Sequence, residues 1–359
     1  MMDHNPYRSL DEKHFWAPAV AQRNMFDISG LWEPKFPLAR QMPVATYGSC
    51  FAQHLGRALQ ARGYKWLVVE RAPRGLSLDN ARRFNYGIFS ARTGNIYTTS
   101  LLRQWVSWAT GEAVVPKEVW EHEGRFYDPF RPVVEPNGFE SEEELVRSRT
   151  ACIEAFRDSI RRSRVLIYTL GLTESWFNAE QGYEYPMCPG TAAGTFDAAR
   201  HRFVNQKYPE ILQHLTAALL AMKQINRGLR VILTVSPVPL TATMSGNHVL
   251  VATAESKSIL RAVAGQLKTS FRFVDYFPSY EIINSPPFRG AFFEPNQRSV
   301  NPAGVEHVMR QFFSNFETLP VDSIQAPTRE VRGVEHNPKR KTGEDVVCEE
   351  ELLRAFGNG

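Results

Sequence analysis

Ser49 is the residue of this chain whose position best suits nucleophilic chemistry. The run Val44–Tyr47 predicts a buried strand, and Gly48 permits a tight turn after it. From Cys50 onward apolar residues recur at helical spacing, so Ser49 falls between the end of a strand and the start of a helix. Open α/β sheets place ligand chemistry there, where the helix dipole stabilises an anion. We therefore interpret Ser49 as a candidate nucleophile; the alternative is that its hydroxyl caps the helix.

Polar residues also follow three other predicted strands. The segments that do so are Gly171–Trp176, Ser236–Thr243 and Asp275–Glu281. Buried polar groups are costly unless they are satisfied, and the carboxyl ends of parallel strands share one edge of a sheet. We therefore expect these segments and Ser49 to surround one site. Any single member can instead be a helix cap or a turn residue.

Six blocks of the sequence resemble the GSCFA family, which is named after the pentapeptide at residues 48–52. In order, they are Gly48–Ala52, Phe89–Thr98, Asp128–Pro132, Thr169–Trp176, Ser236–Leu240 and Tyr276–Glu281. Together they extend the resemblance over roughly residues 5–316. The family is similar to the SGNH, or GDSL-like, hydrolases, which implies an α/β fold: a three-layer α/β/α sandwich with a parallel, flavodoxin-like sheet. It also implies an esterase or acyltransferase that acts on O-acyl groups, those of carbohydrates included.

The resemblance assigns roles to the residues around Ser49. Ser49 would attack an acyl carbon, and its backbone N–H would hold the oxyanion together with donors from Gly94 or Asn95. Gly171 and Thr173 belong to the third SGNH block, in which Thr173 stands where SGNH enzymes have the oxyanion-hole asparagine. A threonine hydroxyl donates one hydrogen bond but reaches less far than an asparagine side chain. The chain departs from the SGNH pattern at this position.

The general base is a second departure from that pattern. SGNH enzymes take the base from Asp-x-x-His before the last helix, and those two positions fall on Asn296 and Ser299. Neither residue accepts a proton as an imidazole does. His307 is expected at the surface, on the polar face of the last helix. His248 follows a strand end on the same rim and is the better candidate; the alternative is that it caps a helix.

Two other titratable residues are candidates if no histidine serves Ser49. Glu174 follows the third predicted strand inside a family block. Lys257 opens a helix after the fourth strand, and a lysine activates the serine in Ser–Lys hydrolases. We expect Glu174 to have the stronger claim, either as the base or as the group that orients it. The alternative for both residues is a solvated charge or an ion pair at a helix start.

The composition limits the classes of function. The 359 residues carry 42 basic and 38 acidic side chains, a net charge of +4, which makes no case for nucleic acid. No segment has the apolar length of a membrane span, and the amino terminus lacks the apolar core of a signal peptide. The four cysteines form no Cys-x-x-Cys pair: Cys50, Cys152, Cys188 and Cys348. We therefore expect a cytoplasmic location, no metal or cofactor, and a buried structural role for Cys50.

Hydrophobic periodicity predicts alternating strands and helices, which are typical of βαβ units and a parallel sheet. The predicted strands are Val44–Tyr47, Trp66–Glu70, Val165–Leu170, Val231–Ser236 and Phe271–Val274. The predicted helices are Phe51–Arg62, Glu142–Ser163, Pro209–Arg227, Ser256–Leu267 and Ala303–Phe316. We divide the chain into an aromatic and Pro-rich arm (1–40), an α/β domain (41–320) and a solvated tail (321–359). The domain carries an irregular insertion around residues 71–140.

Two functions remain open from the sequence. The first is hydrolysis or acyl transfer on a small-molecule or carbohydrate ester, with Ser49 as the nucleophile. The second is a catalytically degenerate protein that binds a glycan or acyl ligand, which the missing Asp-x-x-His block favours. An imidazole within hydrogen-bond reach of Ser49 Oγ distinguishes the two. The oligomeric state stays open.

Overall fold

The structure is a computed structural model that describes residues 5–316, 346 and 348–357. These residues belong to two structural units. One unit comprises residues 38–277 together with the last described residues, 346 and 348–357, and the other comprises residues 5–37 and 278–316. Within these ranges, no helix is long and apolar enough to cross a membrane.

The described residues form nine strands and eight α-helices. The strands are β1 (Val44–Gly48), β2 (Trp120–His122), β3 (Arg125–Tyr127), β4 (Val165–Leu170), β5 (Glu174–Asn178), β6 (Glu184–Tyr185), β7 (His201–Asn205), β8 (Arg230–Val235) and β9 (Val274–Tyr276). The helices are α1 (Ala52–Ala61), α2 (Leu78–Arg83), α3 (Thr99–Thr110), α4 (Glu142–Arg162), α5 (Tyr208–Ile225), α6 (Val249–Ser270), α7 (Ser279–Asn284) and α8 (Pro302–Phe313).

Four strands form a parallel sheet in the order β1-β4-β8-β9. Val44 at the start of β1 lies opposite Val165 of β4, and Gly48 at its end lies opposite Thr169. Every residue of β1 and β4 is buried, as expected for strands that are covered on both faces. Helix α1 packs on β1, and α6 packs on β8 and β9. The predicted three-layer α/β/α sandwich with a parallel sheet is confirmed.

The edge of the sheet beside β1 is less regular than the sequence predicts. Residues 66–70 form no strand, and only Trp66 makes a parallel bridge to Val44. Leu67 N donates to Val44 O at 2.8 Å, but Val69 N already bonds to Ser90 O in the following segment, also at 2.8 Å. The predicted strand Trp66–Glu70 is therefore wrong, although its first residues do lie next to β1.

Helix α6 is longer than predicted at both ends. The sequence predicts a helix over Ser256–Leu267, but α6 begins after its N-cap residue His248 and ends at Ser270. Phe271 N still donates to Leu267 O at 3.0 Å, so the aromatic residue closes the helix instead of opening a strand. Strand β9 consequently starts at Val274, later than the predicted Phe271.

The insertion around residues 71–140 is not irregular throughout, contrary to expectation. It contains α3, where Thr98 Oγ1 accepts from Leu101 N at 3.1 Å and the left-handed Gly111 ends the helix. Trp105 is fully buried, and α3 packs against α4 and α5. The spacing of Leu101, Trp105 and Trp108 carries this helical signal, which the many aromatic residues obscure. Helix α3 thus belongs to the core of the α/β unit.

A second, antiparallel sheet, with the order β6-β5-β7, lies outside the sequence prediction. Strand β5 begins at Glu174, shortly after β4 ends at Leu170. Its partners β6 and β7 lie further along the chain, and Trp176 pairs with both Tyr185 and Phe203. The polar segment Gly171–Trp176 therefore leads from the parallel sheet directly into the second sheet.

Residues of the amino-terminal arm pack on α8 within their own unit. Trp32 stacks on Phe312 with ring centroids 5.3 Å apart. His307 is 1% exposed, its ring stacks on Phe292 at 4.9 Å, and Phe26 of the arm meets it edge-on. The expected surface position of His307 is therefore wrong, because the arm covers a second face of the helix. Burial lowers the pKa of this histidine, which keeps the imidazole neutral.

The block Asp128–Pro132 forms a buried ion cluster and not a part of the Ser49 site. Asp128 accepts from Arg131 Nε at 2.8 Å and from Arg149 Nε at 3.1 Å. The side chains of Asp128 and Arg131 have no exposed surface. Burial alone would raise the pKa of Asp128, but the two guanidinium groups outweigh it and the pKa is lowered. The cluster holds the insertion to α4.

Replacing Asp128 by Asn is expected to destabilise the protein by about 3–5 kcal/mol, because it leaves two buried guanidinium groups without their counter-ion. The free energy of unfolding in urea measures the effect. Asp158→Asn is the matched control, since that carboxylate pairs with Arg161 and Arg162 at the surface of α4 and should cost under about 1 kcal/mol. Equal losses in the two variants would contradict the role given to the buried cluster.

Candidate active site

The turn at Gly48 fixes the position of Ser49. Gly48 has a φ of +128°, and a Cβ there would lie 2.3 Å from Thr169 O in β4, so only glycine fits. Ser49 N donates to the same carbonyl at 3.0 Å. Because this N–H is bonded within the sheet, it is not available to an oxyanion. The oxyanion role expected for the Ser49 N–H is therefore wrong.

The Ser49 hydroxyl is buried and makes no hydrogen bond within the described part of the chain. The residue is 2% exposed. Phe51 is the N-cap residue of α1, and no side chain caps that helix. The alternative in which Ser49 caps the helix is therefore wrong. A buried hydroxyl without a partner costs free energy, so its retention calls for a reason such as binding or catalysis.

The structure brings two further segments to the Ser49 turn. Ile96 N donates to Gly48 O at 2.9 Å, and Gly171 N donates to Tyr97 O at 3.0 Å. A Cβ added at Gly171 would lie 3.1 Å from both Ser49 Cβ and Tyr97 Cδ1. The bare Cα of Gly171 thus lets Ser49 and Tyr97 approach each other. These contacts define the Ser49 site.

Of the expected oxyanion donors, Asn95 directly precedes Ile96 of the Ser49 site, whereas the Thr173 side chain bonds elsewhere. Asn95 is 2% exposed, follows the left-handed Gly94, and accepts from Gln53 Nε2 of α1 at 3.4 Å. Thr173 Oγ1 donates to Asn205 Oδ1 of β7 at 2.8 Å. The Thr173 hydroxyl therefore belongs to the second sheet. The role of Gly94 and Asn95 as oxyanion donors stays a prediction.

Lys257 is buried beside the Ser49 site. It is 1% exposed, and its Nζ donates to Gly171 O at 2.7 Å. The amine is thus held by the residue that packs directly on Ser49. The solvated alternative is wrong for Lys257. Removing an amine from water is costly, and buried lysines recur as catalytic groups for that reason.

His248 and Glu174 are held by other contacts. His248 is exposed, and its Nδ1 accepts from Leu250 N at 3.2 Å, which confirms the capping alternative for this residue. Glu174 accepts from Thr243 Oγ1 and, at 3.2 Å, from Met244 N in the loop after β8. Since Ser49 Oγ makes no hydrogen bond in the described residues, His248, Glu174 and Lys257 alike are not bonded to it. The structure therefore does not assemble the predicted Ser49–His248–Glu174 set.

A cavity of about 570 Å³ adjoins the Ser49 site, and Tyr97 and Leu172 contribute to its wall. Most of its lining is apolar and includes Leu101, Trp176 and Met187. All of its lining residues belong to the α/β unit. In the described ranges, no three or more His, Cys, Asp or Glu side chains are grouped to hold a metal ion. The cavity has the size and lining of a small-molecule site.

Glu184 is a site residue that the sequence does not single out. It lines the cavity, is 1% exposed, and accepts from Thr98 Oγ1 through one carboxyl oxygen. The other oxygen has no hydrogen-bond partner among the described residues. Burial raises the pKa of Glu184 to about 8, against the opposing effect of its bonds to Ser100 and Thr98. No local pattern carries a signal for this residue, because its burial depends on the packing of β6 against α3.

We expect stability to depend on the titration of Glu184. The folded-state pKa of about 8 exceeds the usual 4.5, so the folded protein binds the extra proton between these values. The contribution of Glu184 to the free energy of unfolding is therefore fully present below pH 4.5 and is lost as the pH rises through 8. The loss amounts to up to about 5 kcal/mol. Glu184→Gln should remove this slope in urea denaturations from about pH 5 to about pH 9. The exposed Glu180→Gln is the control, and a slope retained in Glu184→Gln would contradict the assignment.

The comparisons with known proteins agree with the blocks found in the sequence. A search of curated proteins finds no match. The model of the GSCFA family matches residues 43–312, which include β1, the Ser49 turn, the second sheet and α6. This match covers most of the chain, and the chain belongs to the GSCFA family.

Proposed function

We propose that this protein is a serine esterase or acyltransferase that acts on O-acyl esters, those of carbohydrates included, with Ser49 as the nucleophile. The observation that carries the proposal is the buried Ser49 Oγ, which has no hydrogen-bond partner in the described residues. Gly48 holds Ser49 at the end of β1, and the bare Cα of Gly171 packs closely against it. A reacting group that reaches this hydroxyl would have no protein hydrogen bond to displace among the described residues.

The reaction requires two transfers. Ser49 Oγ forms a bond to the acyl carbon and gives up its proton, while the bond from that carbon to the alcohol oxygen breaks and the alcohol takes up a proton. Water or a second alcohol then attacks the acyl carbon, returns the bonding electrons to Ser49 Oγ, and releases an acid or a new ester. Each transfer needs one group that accepts and then donates a proton.

We assign this proton transfer to Lys257. Its buried amine bonds to Gly171 O, and Gly171 packs on Ser49. A neutral lysine amine accepts the hydroxyl proton, and the resulting ammonium returns it to the leaving alcohol. His248 is less suited because it is exposed and caps α6, and Glu174 is held by Thr243. Lys257 is therefore a better candidate than Glu174 for the group that transfers the proton.

Ser49→Ala should lower kcat on p-nitrophenyl butyrate and acetylated sugars by at least about 10³-fold, since it removes the attacking atom. A fluorophosphonate should label the wild-type protein on the Ser49 peptide, as read by mass spectrometry, and leave the variant unlabelled. The exposed Ser258→Ala is the control and should retain both properties. Wild-type turnover by Ser49→Ala would refute the proposed function.

Lys257→Met keeps the methylene stem and removes the amine, and we expect it to lower kcat by about 10²–10⁴-fold. It should also abolish the fall of activity at low pH that protonation of the amine causes, and added methylamine should restore part of the rate. Lys207→Met, which removes an exposed ammonium paired with Glu255, serves as the control. Loss of rate with an unchanged pH profile and no rescue by amines would reduce Lys257 to a structural group.

A second candidate function is ligand binding without turnover, and two observations favour it. In the described residues no imidazole is bonded to Ser49 Oγ. The second observation concerns the Asp-x-x-His positions. Asn296 and Ser299, which stand at the Asp-x-x-His positions, bond to each other at 3.0 Å in a local turn. Asn296 Oδ1 also accepts from Arg298 N and Ser299 N, so these side chains serve the turn. Saturable stabilisation by an acylated sugar, with neither turnover nor fluorophosphonate labelling, would favour this function over the first.

A further inference from the structure

The carboxyl-terminal segment forms part of the cavity wall. Residues Glu349–Phe356 are a 3₁₀ helix, and Leu353 and Phe356 line the cavity. Because a 3₁₀ helix has three residues per turn, these two side chains lie on one face. Cys348 just before the helix lies 4.0 Å from the Tyr97 hydroxyl. The tail expected to be solvated thus places its last described residues against the cavity, next to a residue of the Ser49 site.

The charge of the cavity wall selects against anions. Among the described residues that line it, Glu174 and Glu184 are acidic and none is Lys, Arg or His. The unpartnered oxygen of Glu184 is removed from water in an apolar surrounding. A ligand carboxylate or phosphate there would find no counter-ion, and would meet the repulsion of Glu184 once it ionises. An uncharged ligand avoids this repulsion and needs no counter-ion.

The volume sets the size of the ligand. About 570 Å³ is typical of cavities that enclose drug-sized molecules, and it greatly exceeds the space that an acetyl group needs. Its apolar surface, which includes Leu101, Leu240 and Phe196, gains free energy by covering hydrocarbon. Tyr97 and Leu172 bring the cavity to the Ser49 turn. A chain bound here therefore ends near the nucleophile.

We propose that the cavity binds the uncharged, medium-length acyl chain of the ester substrate, and that the carboxyl-terminal 3₁₀ helix closes it with Leu353. The proposal rests on the proposed function for the identity of the ligand as a substrate. Glu184 in the cavity wall disfavours a charged acid group on the ligand. The cavity selects esters and alcohols over free acids.

The binding test uses the full chain with Ser49→Ala, so that no turnover interferes, and isothermal titration with 1-decanol and decanoate at about pH 8.5, where Glu184 is largely ionised. We expect 1-decanol to bind at least tenfold more tightly than decanoate. Adding Glu184→Gln should reduce this preference several-fold, because it removes the ionisable group. Absence of 1-decanol binding, or equal affinity for the two ligands, would overturn the proposal.

The helix is tested by Leu353→Asp against Leu352→Asp. These positions are neighbours on the same helix, but only Leu353 lines the cavity, and Leu352 is 41% exposed. We expect Leu353→Asp to weaken 1-decanol binding at least tenfold and Leu352→Asp to leave it unchanged, with thermal unfolding verifying both folds. Equal effects would show that the helix does not close the cavity.

Activity on p-nitrophenyl esters separates this proposal from the proposed function. The wild-type protein should have a higher kcat/KM for p-nitrophenyl octanoate and decanoate than for p-nitrophenyl acetate. Decanol binding without any ester turnover would leave the cavity assignment intact and contradict the esterase. Turnover with no preference for chain length, together with no decanol binding, would contradict the cavity assignment and leave the esterase intact.

Discussion

The close approach of Gly48 to β4 is the contact on which the rest of the Ser49 site depends. The carbonyl of Thr169 fills the space that a side chain at Gly48 would take, and the same carbonyl accepts from Ser49 N. Strand β1 therefore ends in a fixed turn, and α1 starts from a defined point. Gly171, which follows the neighbouring strand β4, has a similar role, because its missing side chain lets Ser49 and Tyr97 pack closely. Two glycines at adjacent strand ends thus permit the close packing around Ser49.

Two kinds of buried polar group occur in this unit, and they differ in how they are satisfied. Asp128 is compensated by two guanidinium groups, as is typical of a structural cluster. Ser49 Oγ and one oxygen of Glu184 lack partners among the described residues. Such atoms lower stability, and the one at Ser49 is the observation on which the proposed function rests. Lys257 adds a buried amine to the same region, since it bonds at Gly171.

The departures from the SGNH pattern form a consistent set. Thr173 bonds within the second sheet, and Asn296 and Ser299 bond to each other in a turn. The Ser49 N–H bonds within the parallel sheet. Each residue has a local structural partner in place of the catalytic one that the resemblance implied. Lys257 is buried beside this site, and the carboxyl-terminal helix lines the neighbouring cavity.

The sequence by itself determined the parallel sheet and the place of Ser49, because hydrophobic periodicity and glycine are local signals. Strand β4 and the turn at Gly48 agree with the prediction at the residue level for this reason. Only the tertiary structure decided the irregular course of residues 66–70 and the second sheet, where pairing with distant segments overrules the local pattern. The burial of His307, Lys257 and Glu184 was likewise beyond prediction. A side chain's exposure depends on which elements cover it, and only the tertiary fold brings those elements together.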